Sequence, residues 1–371
     1  MIPVSRPLVT EQDVESVADV LRRGFVSGDA PVVAEFERAF ADTVGRRHGI
    51  AVSNGSVALD LAMHSLDLQP GDEVIVPSFT IASCLFAILR TPAKPVFVDV
   101  DRDTWCLSAE TLRPAITPRT KALLLVHIYG LPVEMGPVMD LCDQYGITIV
   151  EDAAEAHTVR CNDQICGSFG RLSTFSFYAN KAITCGEGGM VVTDDDEVAA
   201  RIRGLRNLAF LPAPGPRFVH EEIGWNARMS ALQAALGKSQ LTRMSEVTEE
   251  KRRIGLLYAD HFLGHAAIQM QPSETPYSRN MYWVVGLVLA NRDARRVAVA
   301  LRDQGVDSRP FFFPLHRQPL LRSWGLDAQA PLPVTEMIAA HGLYLPSFPG
   351  ITDDEIRQSA EALLRVLVTT E

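Results

Sequence analysis

Lys181 stands in the stretch STFSFYANKAITCGEGGMVVT, residues 173–193, between an alternating run of strand character and the glycines Gly186, Gly188 and Gly189. A lysine at the edge of a buried pocket has its amine pKa depressed and becomes a nucleophile towards an aldehyde; on an ordinary surface it is only a solvated charge. Context favours the first reading here, because an apolar strand precedes the lysine, glycines follow it and candidate acids lie upstream. Ser176, in the same strand, offers a hydroxyl.

Three further stretches could serve the same chemistry. In SNGS, residues 53–56, Ser53 or Asn54 can cap a following helix, Gly55 permits close backbone approach, and Ser56 offers a hydroxyl at the positive helix end. That is a cradle for a phosphate, or else an ordinary capped turn; it is not a P-loop, and GEGG at 186–189 is not a dinucleotide fingerprint. In ITIVEDAAEAH, residues 147–157, Asp152 ends an apolar strand, where a carboxylate can hold a proton on a heterocyclic nitrogen. Glu155 reaches the same place if the chain turns helical; the alternative is that both acids cap a helix. In EIGWNARMSALQAA, residues 222–235, Asn226 and Arg228 precede a helix of small residues suited to close packing. An anion cradle, an acid for a ring nitrogen and an amine for an aldehyde are together the requirements of pyridoxal phosphate held as a Schiff base.

The elements that must position these groups follow an alternating order. Between Ala51 and Val150 short apolar runs (DEVIVPS, KALLLVHIYG, ITIVED) alternate with helical ones (VALDLAMHSLDL, IASCLFAILR, MGPVMDLCDQYG), the pattern of βαβ units and a mostly parallel sheet covered on both faces. Residues 11–24 have helical spacing, with Val14, Val17, Ala18 and Leu21 on one face and Gly24 as the stop. After the strand MVVTDD, a Pro/Gly-rich stretch (LPAPGPRF, 211–218) leads to a long helical run, MSALQAALGKSQLTRMSEVTEEKRRIGLLYADHFL. A smaller α+β unit follows, with strand YWVVGLVLA (282–290), helix ARRVAVALRDQG and strand VDSRPFFF. The expected division is a large domain over 1–250 and a small C-terminal one over 251–371.

Composition limits the classes. The 371 residues are 47% hydrophobic, enough for a large core, and the formal charge of −10 argues against a nucleic-acid or anionic-membrane surface. The six cysteines are scattered without C-x-x-C pairs and read as buried thiols rather than metal ligands. No apolar run approaches a membrane span, and the N-terminus lacks the apolar core of a signal peptide, so a cytoplasmic protein is expected.

The chain resembles the DegT/DnrJ/EryC1/StrS sugar aminotransferases, pyridoxal-phosphate enzymes of fold type I with an aspartate-aminotransferase-like architecture. The matching stretches are FVSGDAPVVAEFERAF, AVSNGSVALDLAM, PGDEVIVPSFT, PVFVDVD, VHIYGLP, VEDAAEAH, FSFYANK, GEGGMVVT and GWNARMSALQAA. The resemblance implies Lys181 as the Schiff-base lysine, Asp152 as partner of the pyridine nitrogen, and Gly55, Ser56 and Ser176 as phosphate ligands. It also implies that Asn226 reaches the neighbouring subunit's phosphate, hence a homodimer with shared active sites. Glu155 stands where many relatives carry glutamine near the ring hydroxyl, and Ile81 where several have an aromatic ring. L-glutamate is the amino donor usual in the family.

EDAAEAH, NK-x-IT-x-GEGGM and RPFFFPLHRQP (309–319) are most similar to the subgroup that aminates C4 of GDP-4-keto-6-deoxymannose. Arg309 and His316 in the last of these are candidates for sugar or diphosphate, or else a structural ion pair and a packed ring. Other acceptors the family uses are UDP- or dTDP-linked 3- or 4-keto sugars and keto-cyclitols. A regulator that binds the cofactor without turnover is the alternative from another class; dehydratase relatives carry histidine in place of the lysine.

Overall fold

The computed structural model describes residues 1–210, 215, 216, 218–326 and 329–369. Most of the Pro/Gly-rich stretch 211–218 therefore lies outside the described residues. The chain opens with α1 (Glu11–Arg23) and α2 (Pro31–Val44), then β1 (His48–Val52), α3 (Gly55–His64), β2 (Glu73–Pro77), α4 (Ala82–Leu89) and β3 (Lys94–Val98). Next come α5 (Ala109–Leu112), β4 (Thr120–Val126), α6 (Met135–Tyr145) and β5 (Thr148–Asp152). A small hairpin of β6 (Arg160–Cys161) and β7 (Gln164–Ile165) precedes β8 (Leu172–Ser176), β9 (Gly189–Thr193) and α7 (Asp196–Leu205).

These strands form one sheet in the order β1-β9-β8-β5-β4-β2-β3. Strand β9 runs antiparallel to both its neighbours; the other pairings, from β8 through to β3, are parallel. The strands are almost wholly buried, as the apolar runs require for a sheet covered on both faces. Their order brings Asp152 at the end of β5, Ser176 at the end of β8 and the turn after β1 to one edge of the sheet, where open α/β sheets bind ligands.

The remaining chain comprises α8 (Ala231–Leu241), α9 (Met244–His261), β10 (Ile268–Met270), the hairpin β11 (Glu274–Thr275) and β12 (Ser278–Arg279), β13 (Val285–Leu289) and α10 (Ala294–Asp303). It ends with β14 (Arg309–Pro310), α11 (Pro333–His341), β15 (Gly342–Leu345) and α12 (Asp353–Thr369). A second, antiparallel sheet has the order β10-β13-β15-β14 and packs its own apolar cluster against α9, α10 and α12. The architecture is α/β, a large mostly parallel sheet with helices joined to a smaller α+β part.

Three local readings are corrected. In α1 the buried residues are Asp13 and Val20, whereas Val14 and Leu21 are exposed. The polar residue is inward because Asp13 accepts hydrogen bonds from Ser239 and Gln240 and pairs with Arg243. The long helical run is interrupted at Thr242 and Arg243, between α8 and α9. The strand expected over VDSRPFFF shrinks to Arg309–Pro310, where Pro310 has no backbone donor to give to the ladder.

Two glycines show why the turns need that residue type. A Cβ on Gly55 would lie 2.8 Å from Ser176 Cβ, and one on Gly189 would lie 2.5 Å from the Asn54 carbonyl oxygen. The turn after β1 is thereby pressed onto the ends of β8 and β9, which places Gly55, Ser56 and Ser176 side by side.

Candidate active site

A cavity of about 410 Å³ opens at this edge, lined from the large sheet by Ser56, Asp152, Glu155, Ser176 and Lys181 and from the far side by Trp283, Arg309, Phe312 and Tyr344. The Lys181 amine lies 3.7 Å from Glu155 Oε1 and 3.6 Å from the centroid of the Trp283 ring. Burial pushes the Lys181 pKa below the ordinary lysine value, while the Glu155 and Asp152 carboxylates act in the opposite sense. Burial raises Glu155 to about 7, opposed by Lys181 and by the Tyr129 N–H that Oε2 accepts at 2.9 Å.

Asp152 is 3% exposed. Its Oδ1 accepts from Ala154 N at 3.0 Å and its Oδ2 from the Cys84 thiol at 3.3 Å. Burial raises its pKa too, against those two donors and Lys181. The segment after Asp152 is a series of turns rather than a helix, so neither acid caps a helix; Glu155 reaches the cavity through the turn. His157 lies against the rings of Phe40, Phe175 and Phe177, and burial drops its pKa to about 3, leaving it neutral.

At the other end of the cavity Asn54 caps α3, its Oδ1 accepting from Val57 N at 2.9 Å. The amides of Gly55 and Ser56 belong to the first turn, which has no carbonyl of its own helix to bond. Ser56 Oγ lies 2.7 Å from Ser83 Oγ, and Ser176 Oγ accepts from Tyr178 N at 3.3 Å. Hydroxyls, first-turn amides and the positive helix end form a donor set that matches a phosphate. With Lys181 for an aldehyde and Asp152 for a ring nitrogen, the residues present fit pyridoxal phosphate.

The other sequence candidates fall in different places. Arg309 borders the cavity, held beside Tyr344 by the β14–β15 pairing. His316 does not line it: the ring is buried, with Nδ1 2.6 Å from Ser78 Oγ and Nε2 2.9 Å from Glu336 Oε1. Both nitrogens are engaged, so the reading of His316 as a sugar or diphosphate contact is corrected to a structural one. Asn226 is exposed and outside the cavity of this chain, bridged to Asn207 on the segment that runs past β1. Ile81 lines the cavity mouth at 44% exposure.

Sequence reasoning missed Trp283, Phe312, Tyr344, Ser83 and Cys84. It also passed over Glu151, which points to the opposite face of β5 from Asp152 because strand side chains alternate. Glu151 is fully buried and accepts from the backbone N–H groups of Gly167, Phe169 and Gly170 and from Ser173 Oγ, all within 2.7 to 2.9 Å. His127 adds a fifth bond at 3.1 Å; its Nδ1 accepts from Val133 N, so Nε2 carries the proton and donates to Glu151. These donors hold the Glu151 carboxyl below the usual range despite burial, which acts to raise it. The only sequence signal for this anchor was an acid placed inside an apolar strand.

All six cysteines are buried free thiols, no cluster of metal-ligating side chains occurs among the described residues, and no described helix is long and apolar enough to cross a membrane.

Comparison with known proteins agrees with the geometry. The family model of the DegT/DnrJ/EryC1/StrS aminotransferase family matches residues 7–364. A GDP-perosamine synthase of Vibrio cholerae is 35% identical over 364 residues, covering 96% of this chain and 97% of the relative. A UDP-N-acetyl-3-dehydro-alpha-D-glucosamine 3-aminotransferase of Acidithiobacillus ferrooxidans is 36% identical over 334 residues, covering 89% and 87%. The aminotransferase TlmJ from Streptoalloteichus hindustanus superposes with a TM-score of 0.92 at 27% identity, covering 100% of this chain and 99% of its own. The chain belongs to the DegT/DnrJ/EryC1/StrS aminotransferase family and is a sugar aminotransferase whose cofactor is pyridoxal phosphate.

Proposed function

We propose that this enzyme moves an amino group from L-glutamate to C4 of GDP-4-keto-6-deoxymannose, as a GDP-perosamine synthase. The observation that carries the chemistry is Lys181 within 3.7 Å of Glu155, beside Asp152 and facing a phosphate cradle across one cavity. The likeness to the Vibrio cholerae enzyme supports the choice of sugar.

When bound here, pyridoxal phosphate supplies an electrophilic aldehyde and an electron-accepting ring. Lys181 would hold it covalently and, when released, take a proton from the α-carbon of glutamate and later deliver one to the sugar carbon. Asp152 would keep the ring nitrogen protonated through a charge-assisted hydrogen bond. Gly55, Ser56 and Ser176 would hold the phosphate, with Glu155 beside the ring hydroxyl. Arg309, at the cavity edge, suits a diphosphate because its planar fork donates two hydrogen bonds together. We assign residues 1–250 to the cofactor-binding domain and 251–371 to a smaller domain that completes the substrate side.

We also assign Asn226 to the phosphate site of a second copy, since it is exposed and outside this chain's own cavity. Mixing Lys181→Ala chains with Asn226→Ala chains should then regenerate some intact sites. Failure to recover activity in verified mixed dimers would count against sharing.

The substrate is tested by loading the enzyme with amino groups from 15N-glutamate and offering GDP-, UDP- and dTDP-linked keto-sugars. Fastest transfer to the GDP compound, with the new C–N bond at C4 by NMR, is the expected result. The Acidithiobacillus relative favours a second reading, a UDP-linked 3-keto sugar, and label arriving at C3 of that compound would select it.

A further inference from the structure

A lysine that anchors a cofactor and then works as acid and base must leave the anchor and return to it in every cycle. Its free amine needs somewhere to sit, because an ammonium buried without a partner is costly. We propose that Glu155 and Trp283 form a seat for the Lys181 amine while it is not bonded to the cofactor, with Glu155 Oε1 exchanging the amine's proton. The inference rests on the reading of Lys181 as the cofactor-bearing lysine.

The seat is built from two fixed walls. Glu155 cannot swing away easily, since its Oε2 is tied to Tyr129 N, which leaves Oε1 directed at the amine 3.7 Å distant. The Trp283 ring offers its negative face to the amine at 3.6 Å, a cation–π contact. Its Nε1 donates to the carbonyl of Asn180 at 2.9 Å, so the ring is bonded to the residue next to the lysine and keeps its place relative to the lysine's backbone. Trp283 is 5% exposed and Glu155 6%, so both walls are largely withdrawn from solvent, although the amine borders the cavity.

In the exchange the Nζ–H bond breaks and an Oε1–H bond forms, turning an ammonium and a carboxylate into a neutral amine and a neutral acid. Loss of opposite charges is favoured where burial limits the hydration of both groups. The groups around the pair leave this balance readable. Asp152 is the other carboxyl facing it, from the end of β5. Burial keeps the thiols of Cys84 and Cys106 and the phenols of Tyr129 and Tyr344 protonated, and keeps His157 neutral. Trp283 favours the charged amine, whereas Glu155 can take the proton; one wall parks the lysine and the other arms it.

The test uses the full chain without cofactor, labelled at each pH with trace acetic anhydride and read at Lys181 by mass spectrometry. Glu155→Gln preserves shape and an oxygen for Tyr129 N–H but removes the anion that favours the ammonium, so the labelling midpoint should fall by at least about one pH unit. Trp283→Leu should lower it by a smaller amount, and Trp283→Phe should restore part of that loss. The acidic limb of the glutamate half-reaction of the holoenzyme should move down in Glu155→Gln alongside the midpoint. Midpoints unchanged in both Glu155→Gln and Trp283→Leu overturn the seat, and if Glu155→Gln does not fold, Glu155→Asp, which withdraws the carboxylate, serves with the same expected direction. Borohydride reduction of the holoenzyme that labels a different lysine overturns the underlying reading instead, independently of these midpoints.

Discussion

Two lysines, Lys251 buried and Lys181 nearly so, lie close together and have different surroundings. Lys251, in α9, is 4% exposed and donates to the carbonyl and hydroxyl oxygens of Ser347 at 2.7 and 2.6 Å. Burial drops its pKa to about 7, opposed by Glu250. Lys181 is depressed by burial as well, yet it faces two carboxyls, an aromatic ring and an open cavity. Both border one small hollow, which Asn180 also lines. Depressing a lysine therefore takes only burial; making it chemically useful takes a proton partner and room for a second molecule. Ser347 supplies neither, and Lys251 is read as a strut between α9 and the end of β15.

Removing each amine in turn separates the two lysines most directly. Lys181→Ala should lower turnover by more than about a thousandfold, through loss of both nucleophile and proton carrier. Lys251→Met should leave turnover within a few-fold in the same steady-state assay. Equal losses would erase the distinction. Asp152→Asn should come next: removing the charged partner costs roughly 1.5–3 kcal/mol, or about ten- to a hundredfold in rate. Single-turnover kinetics with glutamate would show the loss in proton removal rather than in cofactor retention.

Lys251 also makes stability depend on pH. Its pKa is lower in the folded state than the ordinary lysine value, so between the two the unfolded chain binds more protons and stability rises with pH. Denaturation midpoints measured from pH 7 to 9 should show wild type gaining on Lys251→Met by about 1 kcal/mol per pH unit, and no such gain below pH 7. The smallest effect is expected at the cavity edge. Arg309→Met should raise KM for the nucleotide sugar while the glutamate half-reaction changes little, and His316→Asn should alter thermal stability rather than that KM.

What the sequence disclosed was local in the chain. Lys181, Ser176 and the glycines are neighbours in one stretch, and Asp152 closes a strand that its own apolar residues announce. The architecture was legible for a related reason, since alternating strands and helices constrain the sheet. Trp283 was not legible, because its partner Asn180 is 103 residues away and only the packed sheets bring them together. His316 misled because residue type alone does not tell which way a ring faces; here it turns inward to Ser78 and Glu336. In α1, periodicity selected Val14, Val17, Ala18 and Leu21, but a buried ion pair at Asp13 set the inward face instead.

Glu151 and Asp152 are consecutive and serve opposite sides of one strand, the first gathering five donors beneath the sheet edge and the second facing the cavity. Spacing along β5 is therefore under a constraint that substitutions do not feel. Removing one residue upstream, such as Val150, would exchange the two faces: the acid that lines the cavity would be offered to a nest of backbone amides, and the anchor's side chain would enter the cavity. In the history of such a chain, β5 is thus a place where a change of length exchanges both acids at once, and insertions and deletions should accumulate elsewhere.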